Sequence, residues 1–205
     1  YRNIKNHYVL IGFNELSINM IRELYDECPS ARILLMSGIE AATVRHRIQS
    51  ALPVEIERQV LVYFGNIESI EELQRLNIAS ASEVYVLGDE ERCGRDAKNI
   101  AIVHLVSALR GKCSDGKVMP VYVQFDSIPS YSNIQKMNLP PEVFCIEGKP
   151  NIFFRPFNLH ENLARQLWSL YGADCERRYD PLDYRPISIT QQPDGSWSAT
   201  SQDYV

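Results

Sequence analysis

No run of about 18 consecutive apolar residues occurs anywhere in the chain, so no segment of it reads as a membrane-spanning helix. A charged start followed by an apolar stretch and a small-residue cleavage site is also missing, which excludes a secretory signal. Cysteine is sparse and odd in number: Cys28, Cys93, Cys113, Cys145 and Cys175 are widely spread, without a Cys-x-x-Cys pair or a Cys/His ligand spacing. That excludes a disulfide framework and a zinc ribbon and predicts reduced thiols, several of them small core residues. Basic residues are outnumbered 21 to 26, giving a net charge of −5, and they form no long run. A surface that neutralises phosphates needs clustered Lys and Arg, so nucleic acid is excluded as a partner. Internal repeats are absent. The chain opens at Tyr1 rather than at a methionine and is expected to be a piece of a longer protein, with any membrane segment elsewhere.

What is present is a globular composition. Of 205 residues, 45% are hydrophobic and 23% charged, which suits one sizeable domain with something appended. His7–Phe13 is a short apolar run ending near a glycine and reads as a buried strand. From Glu15 the spacing turns helical, with Leu16, Met20, Ile21, Leu24 and Cys28 on one face and Pro29 as the stop. Arg32–Met36 reads as the second strand, Glu40–Leu52 as a helix closed by Pro53, and Gln59–Phe64 as the third strand. A short helix is marked by Ile70, Leu73 and Leu76; Glu83–Leu87 is the fourth strand and Asp96–Leu109 a long helix. Val118–Phe125 reads as the fifth strand, Ser132–Met137 as a short helix, and Val143–Ile146 as the sixth strand. Apolar strands alternating with helices predict a Rossmann-like α/β fold, a mostly parallel six-stranded sheet with helices on both faces. Ligands in such folds bind outside the carboxyl ends of the strands, which here are Gly12–Asn14, Met36–Ser37, Gly65–Asn66 and Gly88–Asp89.

Beyond residue 148 the pattern changes. Asn158-Leu-His-Glu161 resembles a capping box, and Leu159, Leu163, Leu167, Trp168 and Leu170 give an apolar helix ending at Gly172. In the tail, Ile187–Thr190 and Trp197 flank the turn signal Pro193-Asp-Gly195 and suggest a small hairpin. The expected division is therefore 1–148, 149–174 and 175–205.

A dinucleotide site needs Gly-x-Gly-x-x-Gly between the first strand and helix, for the turn, for approach to the pyrophosphate and for close packing. This chain has Gly12-Phe-Asn-Glu-Leu-Ser17. Gly12 is in place and Ser17 is small. Asn14, however, is expected to project its side chain where a phosphate would approach, and Glu15 adds a negative charge at the helix start. The acid that should close the second strand and hold a ribose hydroxyl is absent, Met36 and Ser37 standing there. These residues predict a strand–turn–helix junction that binds no dinucleotide, with the free N–H groups still open to a mononucleotide or small anion.

The series Gly65-Asn-Ile-Glu-Ser69, Leu73, Leu76, Asn77-Ile78, Ala81-Ser82 and Val84-Tyr-Val-Leu-Gly-Asp89, with Asn99 opening the next helix, resembles the RCK/KTN (TrkA-N type) domain that regulates potassium conductance. The resemblance covers about Asn6 to Glu147. It implies a non-catalytic cytoplasmic regulatory domain of a potassium channel or transporter, at the inner face of the membrane. Partners would be a second copy, as a homodimer or larger ring, and the membrane part of the same chain or complex. The helix after Asn158 would be a crossover helix used in dimerisation. By resemblance Gly12, Phe13, Asn14, Ser37, Gly65, Asn66, Gly88 and Asp89 line the cleft; NAD/NADH or an adenine nucleotide are the candidate ligands, with no metal implied. The departures at Asn14, Ser17, Asn66 and the second-strand end bear on nucleotide binding rather than on the fold.

Smaller features read blandly. Asp89-Glu-Glu91 suits a solvated acidic loop better than a cation site, Arg45-His-Arg47 suits a surface helix facing water, and His104 suits a packed core position. Tyr122, Asp126 and Lys136 lack the four-residue spacing of a dehydrogenase pair. The Leu163, Leu167 and Trp168 stripe suits an interface. Two rival readings remain: an NAD(P)-dependent oxidoreductase on the same fold, and a ligand-free module that serves subunit contact alone.

Overall fold

The computed structural model describes residues 4–91, 93–111, 118–136, 145–146, 149–150, 152–164, 187–191 and 197–201. Six strands form one sheet in which every neighbouring pair is parallel: β1 (Tyr8–Ile11), β2 (Ile33–Ser37), β3 (Val60–Phe64), β4 (Glu83–Val86), β5 (Met119–Gln124) and β6 (Ile152–Phe157). Their order is β3-β2-β1-β4-β5-β6, so the chain reverses its direction of travel across the sheet between β1 and β4. That is the Rossmann order, and the reversal opens a crevice at the carboxyl ends of those two strands.

Side-chain alternation explains why the strands are apolar throughout. Val9 and Ile11 of β1, with Leu34, Met36, Val84 and Val86, face α5 (Arg95–Arg110), which buries Ile102, Val103 and Val106 against them. Tyr8 and Leu10, with Ile33, Leu35 and Tyr85, face the other way, onto Ile21 and Leu24 of α1 (Ser17–Glu27) and Val44 and Ile48 of α2 (Ala41–Ala51). A sheet covered on both faces leaves no position for an exposed polar side chain in its central strands. The edge strand β3 is looser, and its Phe64 is largely exposed. Between α2 and β3 lies a single turn, α3 (Val54–Glu57); α4 (Ile70–Leu73) begins with the Ser69 side chain accepting from Glu72 N–H. Among the described residues no helix is long and apolar enough to cross a membrane.

The sixth strand is not where the sequence pattern put it. Cys145–Ile146 pairs antiparallel with Lys149–Pro150 in a two-residue ribbon, and Ile152–Phe157 completes the sheet beside β5. This segment carries Arg155 and Pro156, unusual residues for a sheet strand. Both are accommodated because β6 is the edge: the missing proline N–H costs nothing on an open side, and the Arg155 guanidinium lies 5.7 Å from the Tyr122 ring and 4.7 Å from the Phe153 ring. The helix after β5, α6 (Ile128–Lys136), also starts earlier than its apolar spacing suggested. Residues 159–164 are helical, and the Asn158 Oδ1 accepts the Glu161 N–H at 3.0 Å while its amide donates to the Phe125 carbonyl at 2.8 Å. The expected stretch through Leu167, Trp168 and Gly172 lies outside the described residues, as does the Pro193-Asp-Gly195 turn. Ile187–Gln191 and Trp197–Ser201 pair antiparallel. His104 is exposed on α5 rather than packed in the core; of the cysteines, Cys28 is half-buried and packs against the core beneath α1, while Cys93 is exposed.

One buried histidine gives the fold a pH dependence. His7 is fully buried beside the chain turn at Leu76, whose carbonyl accepts from Nε2 at 2.9 Å, and Nδ1 has no partner. Burial lowers its pKa below the ordinary value, and the Leu76 bond opposes that only in part. The unfolded chain therefore takes up this proton first as pH falls. The stabilisation is complete above about pH 6.5 and is lost progressively as pH drops below it. Urea midpoints are expected to fall between about pH 7.5 and about pH 5.5, with His7→Asn flattening that slope.

Candidate functional site

The crevice at the β1/β4 reversal is bounded by the turn after β1, the end of β2 and the residues after β4. Gly12 begins the turn with φ +94°, and a Cβ there would stand 2.2–2.4 Å from the Gly88 backbone. Gly88 itself has φ +73°, and its Cβ would stand 2.8 Å from Arg95 Cγ and 2.9 Å from Asn99 Oδ1. These two glycines are required by the contact between the ends of β1 and β4, with no ligand involved.

Asn14 does not project into the crevice, contrary to the expectation from sequence. It is 2% exposed and points down into the protein. Its amide donates to the Leu87 carbonyl at 3.0 Å and to Gln124 Oε1 at 2.9 Å, and its Oδ1 accepts the Leu16 N–H at 2.9 Å. The reason is local satisfaction: an amide offers two donors and an acceptor, and the strand ends beneath the turn supply matching partners. Nor are the turn's amides free, as the sequence suggested. Asn14 N–H donates to Ser17 Oγ at 2.9 Å, Ser17 N–H to the Asn14 carbonyl at 3.1 Å, and Phe13 N–H to Asp89. Asn14→Gly, which restores the second fingerprint glycine, is therefore expected to cost about 2–3 kcal/mol through orphaned buried partners. It should create no NAD binding; denaturant melts and calorimetric titration of the variant measure the two effects.

Asp89 is the centre of the site. Its Oδ1 accepts the Phe13 N–H at 3.0 Å and the Ser37 hydroxyl at 2.6 Å, and its Oδ2 accepts the Gly38 N–H at 3.0 Å. Donors from the ends of β1 and β2 thus hold a carboxylate supplied by the chain itself. The acidic run is not simply solvated: Glu90 pairs with Arg47 of α2 and Glu91 with Lys98 of α5 at 3.3 Å. Arg47 also lies over the buried Phe13 ring, 5.9 Å from its centroid, so it is more than a water-facing arginine. Phe13, Asp89 and the Arg47–Glu90 pair thus cluster at the end of β1 and β2.

On the far side of Asp89 a cavity of about 140 Å³ remains, lined among others by Asn66, Glu91, Arg95, Lys98 and Asn99. Drug-sized ligands occupy pockets of roughly 300–1,000 Å³, so a dinucleotide does not fit there. Arg95 is 1% exposed and is held by Asp126, which its Nη1 meets at 2.9 Å; its Nε and Nη2, and Asn99 Oδ1, have no hydrogen-bond partner. Gln124 donates to Asp126 at 2.9 Å, so Asn14, Gln124, Asp126 and Arg95 form one buried polar chain beneath the turn. Among the described residues no group of acids, histidines and cysteines could hold a metal ion.

Of the residues expected to line the cleft, the structure joins Phe13, Ser37 and Asp89 by hydrogen bonds and brings Gly12 against Gly88. Asn14 sits beneath them. Asn66 shares the wall of the 140 Å³ cavity with Gly88 and Asp89, while Gly65 lies at the end of β3 along an open groove with Phe64, Glu72 and Arg75. Arg47, Glu90 and Asp126 were weighed from the sequence and read blandly, while Gly38, Arg95 and Gln124 were not singled out as site residues. The polar Gln124-Phe-Asp126 closing an apolar strand was the available signal.

Neither a protein-family model nor a curated protein matches the chain. Solved structures do. The TrkA-N domain of the inner membrane protein YbaL from Escherichia coli matches at 15% identity over 82% of this chain and 98% of that one, with a TM-score of 0.49. GsuK bound to ADP matches at 14% identity over 67% of this chain and 31% of that one, with a TM-score of 0.47. The human SLO3 gating ring matches at 11% identity over 85% of this chain and 30% of that one, with a TM-score of 0.46. In the latter two, this chain matches about a third of a longer protein. The strand order, rather than these distant likenesses, carries the assignment of a Rossmann-type α/β fold.

Proposed function

We propose that this chain is a non-catalytic regulatory domain of a potassium channel or transporter, acting on the cytoplasmic side of the membrane as a homodimer or larger ring. The observation that supports the non-catalytic part is Asp89: a chain carboxylate takes the Phe13 N–H of the first turn and the Ser37 hydroxyl and Gly38 N–H at the second-strand end, where a dinucleotide's ribose would be held. The potassium-channel part rests on the ordered series from Gly65 to Asp89 and on Asn99, which resemble the RCK/KTN pattern. Leu73, Leu76, Ile78 and Ala81 of that series are buried against the sheet, as a structural motif requires. Tyr122 is stacked on Tyr85 at 4.7 Å and Asp126 is bound to Arg95, so neither is placed for hydride-transfer chemistry. Leu159 and Leu163, 41% and 51% exposed one helical turn apart, support a surface for a second copy.

A pure assembly module, without any ligand, is the second reading, and the occupied crevice favours it equally. Thermal-shift and calorimetric screening against NAD, NADH, ATP, ADP and AMP, with light scattering over a range of concentrations, tests the proposal. Association without dinucleotide turnover is the expected result. Micromolar NAD binding accompanied by oxidation of a substrate would overturn it. A monomer at every concentration would remove the regulatory assembly.

A further inference from the structure

We propose that Arg45 and Arg75 close the open edge of β3 to strand addition, so that two copies of this chain do not join their sheets there. Alternation along β3 sets up the problem. Gly65 N–H donates to the Ser37 carbonyl and the Gln59 carbonyl accepts the Ile33 N–H, so the odd-numbered residues face β2. Val62 and Phe64 therefore turn their N–H and C=O groups away from the sheet. Phe64 is 58% exposed, and an open strand edge beside an apolar side chain is a template for pairing with another chain.

Both outward carbonyls are taken by arginines. Arg45 Nη2 donates to the Val62 carbonyl at 3.3 Å, and Arg75 Nη1 to the Phe64 carbonyl at 3.5 Å. The two side chains arrive from opposite faces of the sheet. Arg45 extends from α2, whose Val44 and Ile48 belong to one core layer; Arg75 lies in the turn Gln74–Leu76, whose Leu76 belongs to the other. Glu72 at 2.6 Å and the Tyr63 ring, with its centroid 5.5 Å away, hold the Arg75 guanidinium in place. Just ahead of the strand the device recurs, the Arg58 carbonyl accepting from Arg32 at 2.6 Å. Neither bond at the edge is short, so the obstruction lies in bulk and charge. An incoming strand has to displace two guanidinium groups, and a second β3 edge would bring two more positive charges against them. The opposite edge is blocked differently: Pro156 faces outward on β6 and has no N–H to offer.

The full chain carrying Arg45→Ala and Arg75→Ala together, followed by light scattering and by amide exchange resolved to single residues, tests the device. This variant is expected to associate at least about tenfold more tightly than the native protein. In its associated form the Val62 and Phe64 amides should exchange at least about tenfold more slowly. Arg45→Lys with Arg75→Lys keeps a donor and a charge at each place and should behave as the native protein does. If the double alanine variant does not fold, Arg45→Ala alone serves, since Arg45 is exposed on α2; a gain of about threefold, protecting the same two amides, is then expected. A folded alanine variant that associates no more than the native protein overturns the proposal. So does association that leaves those two amides unprotected, which marks sticking through the uncovered Tyr63 ring. Lysine variants that associate as the alanine ones do, or a native protein whose Val62 and Phe64 amides gain protection with concentration, overturn it too. The regulatory reading is tested apart from this, because a dimer formed through Leu159 and Leu163 leaves the β3 amides untouched.

Discussion

Gly12→Ala is expected to cost more than about 4 kcal/mol and to leave little soluble folded protein. Two independent terms act together. At φ +94° an L side chain is strained by roughly 1–3 kcal/mol. The new Cβ would also lie 2.2–2.4 Å from the carbonyl carbon, oxygen and Cα of Gly88, which are backbone atoms at the end of a hydrogen-bonded strand and cannot swing aside. Gly94 supplies the control. Its φ is +69°, but nothing lies within 4 Å of a Cβ placed there, so Gly94→Ala should cost only about 1 kcal/mol. Urea denaturation of both variants separates strain from collision. A Gly12→Ala protein as stable as Gly94→Ala would show that the close approach of the two strand ends is wrong.

Asp126→Ala is the second large effect. Arg95 is 1% exposed, and among the described residues Asp126 is the acid that meets its charge. Removing one partner of a buried pair costs about 3–5 kcal/mol because the other is left uncompensated. The Asp126 side chain is 27% exposed, so water recovers part of the loss and the lower end, about 3 kcal/mol, is expected. Arg95→Met reverses the exposure: the orphaned carboxylate can turn to water while still accepting from Gln124, and a loss of about 1–2 kcal/mol follows. A double-mutant cycle in urea should therefore show the pair of substitutions costing less than the sum. Equal and additive single effects would mean that Arg95 is not buried as described. By contrast the Arg47–Glu90 pair is nearly half exposed on both sides, and Arg47→Ala should cost less than about 1 kcal/mol.

How much of this was legible follows from which interactions are local. The first five strands were readable because each is a mostly apolar run, buried on both faces in the central strands and looser at the edge strand β3. Gly12 and Ser17 were readable as parts of a turn because their partners lie within a few residues. Asp89 was placed at a strand end and in the cleft, but its partners were not legible, since its donors lie 76, 52 and 51 residues away, and pattern within a window says nothing about a contact across the sheet. Asn14 was misplaced for the same reason: the fingerprint rule assumes a ligand above the turn, while its actual partners, Leu87 and Gln124, lie below it. The sixth strand was missed because Pro156 is disfavoured in a strand unless that strand is an edge, and edge position is a property of topology.

The Asn14–Gln124 bond spans 110 residues. At a synthesis rate of roughly 5–20 residues per second, the ribosome needs about 5–20 s to deliver Gln124 after Asn14 has been made. Throughout that interval the Asn14 amide is met by water in place of Gln124, even after β2 and β4, the neighbours of β1, have been made. The first turn is thus incomplete until the fifth strand is made, and slowing translation before that strand should lengthen the interval.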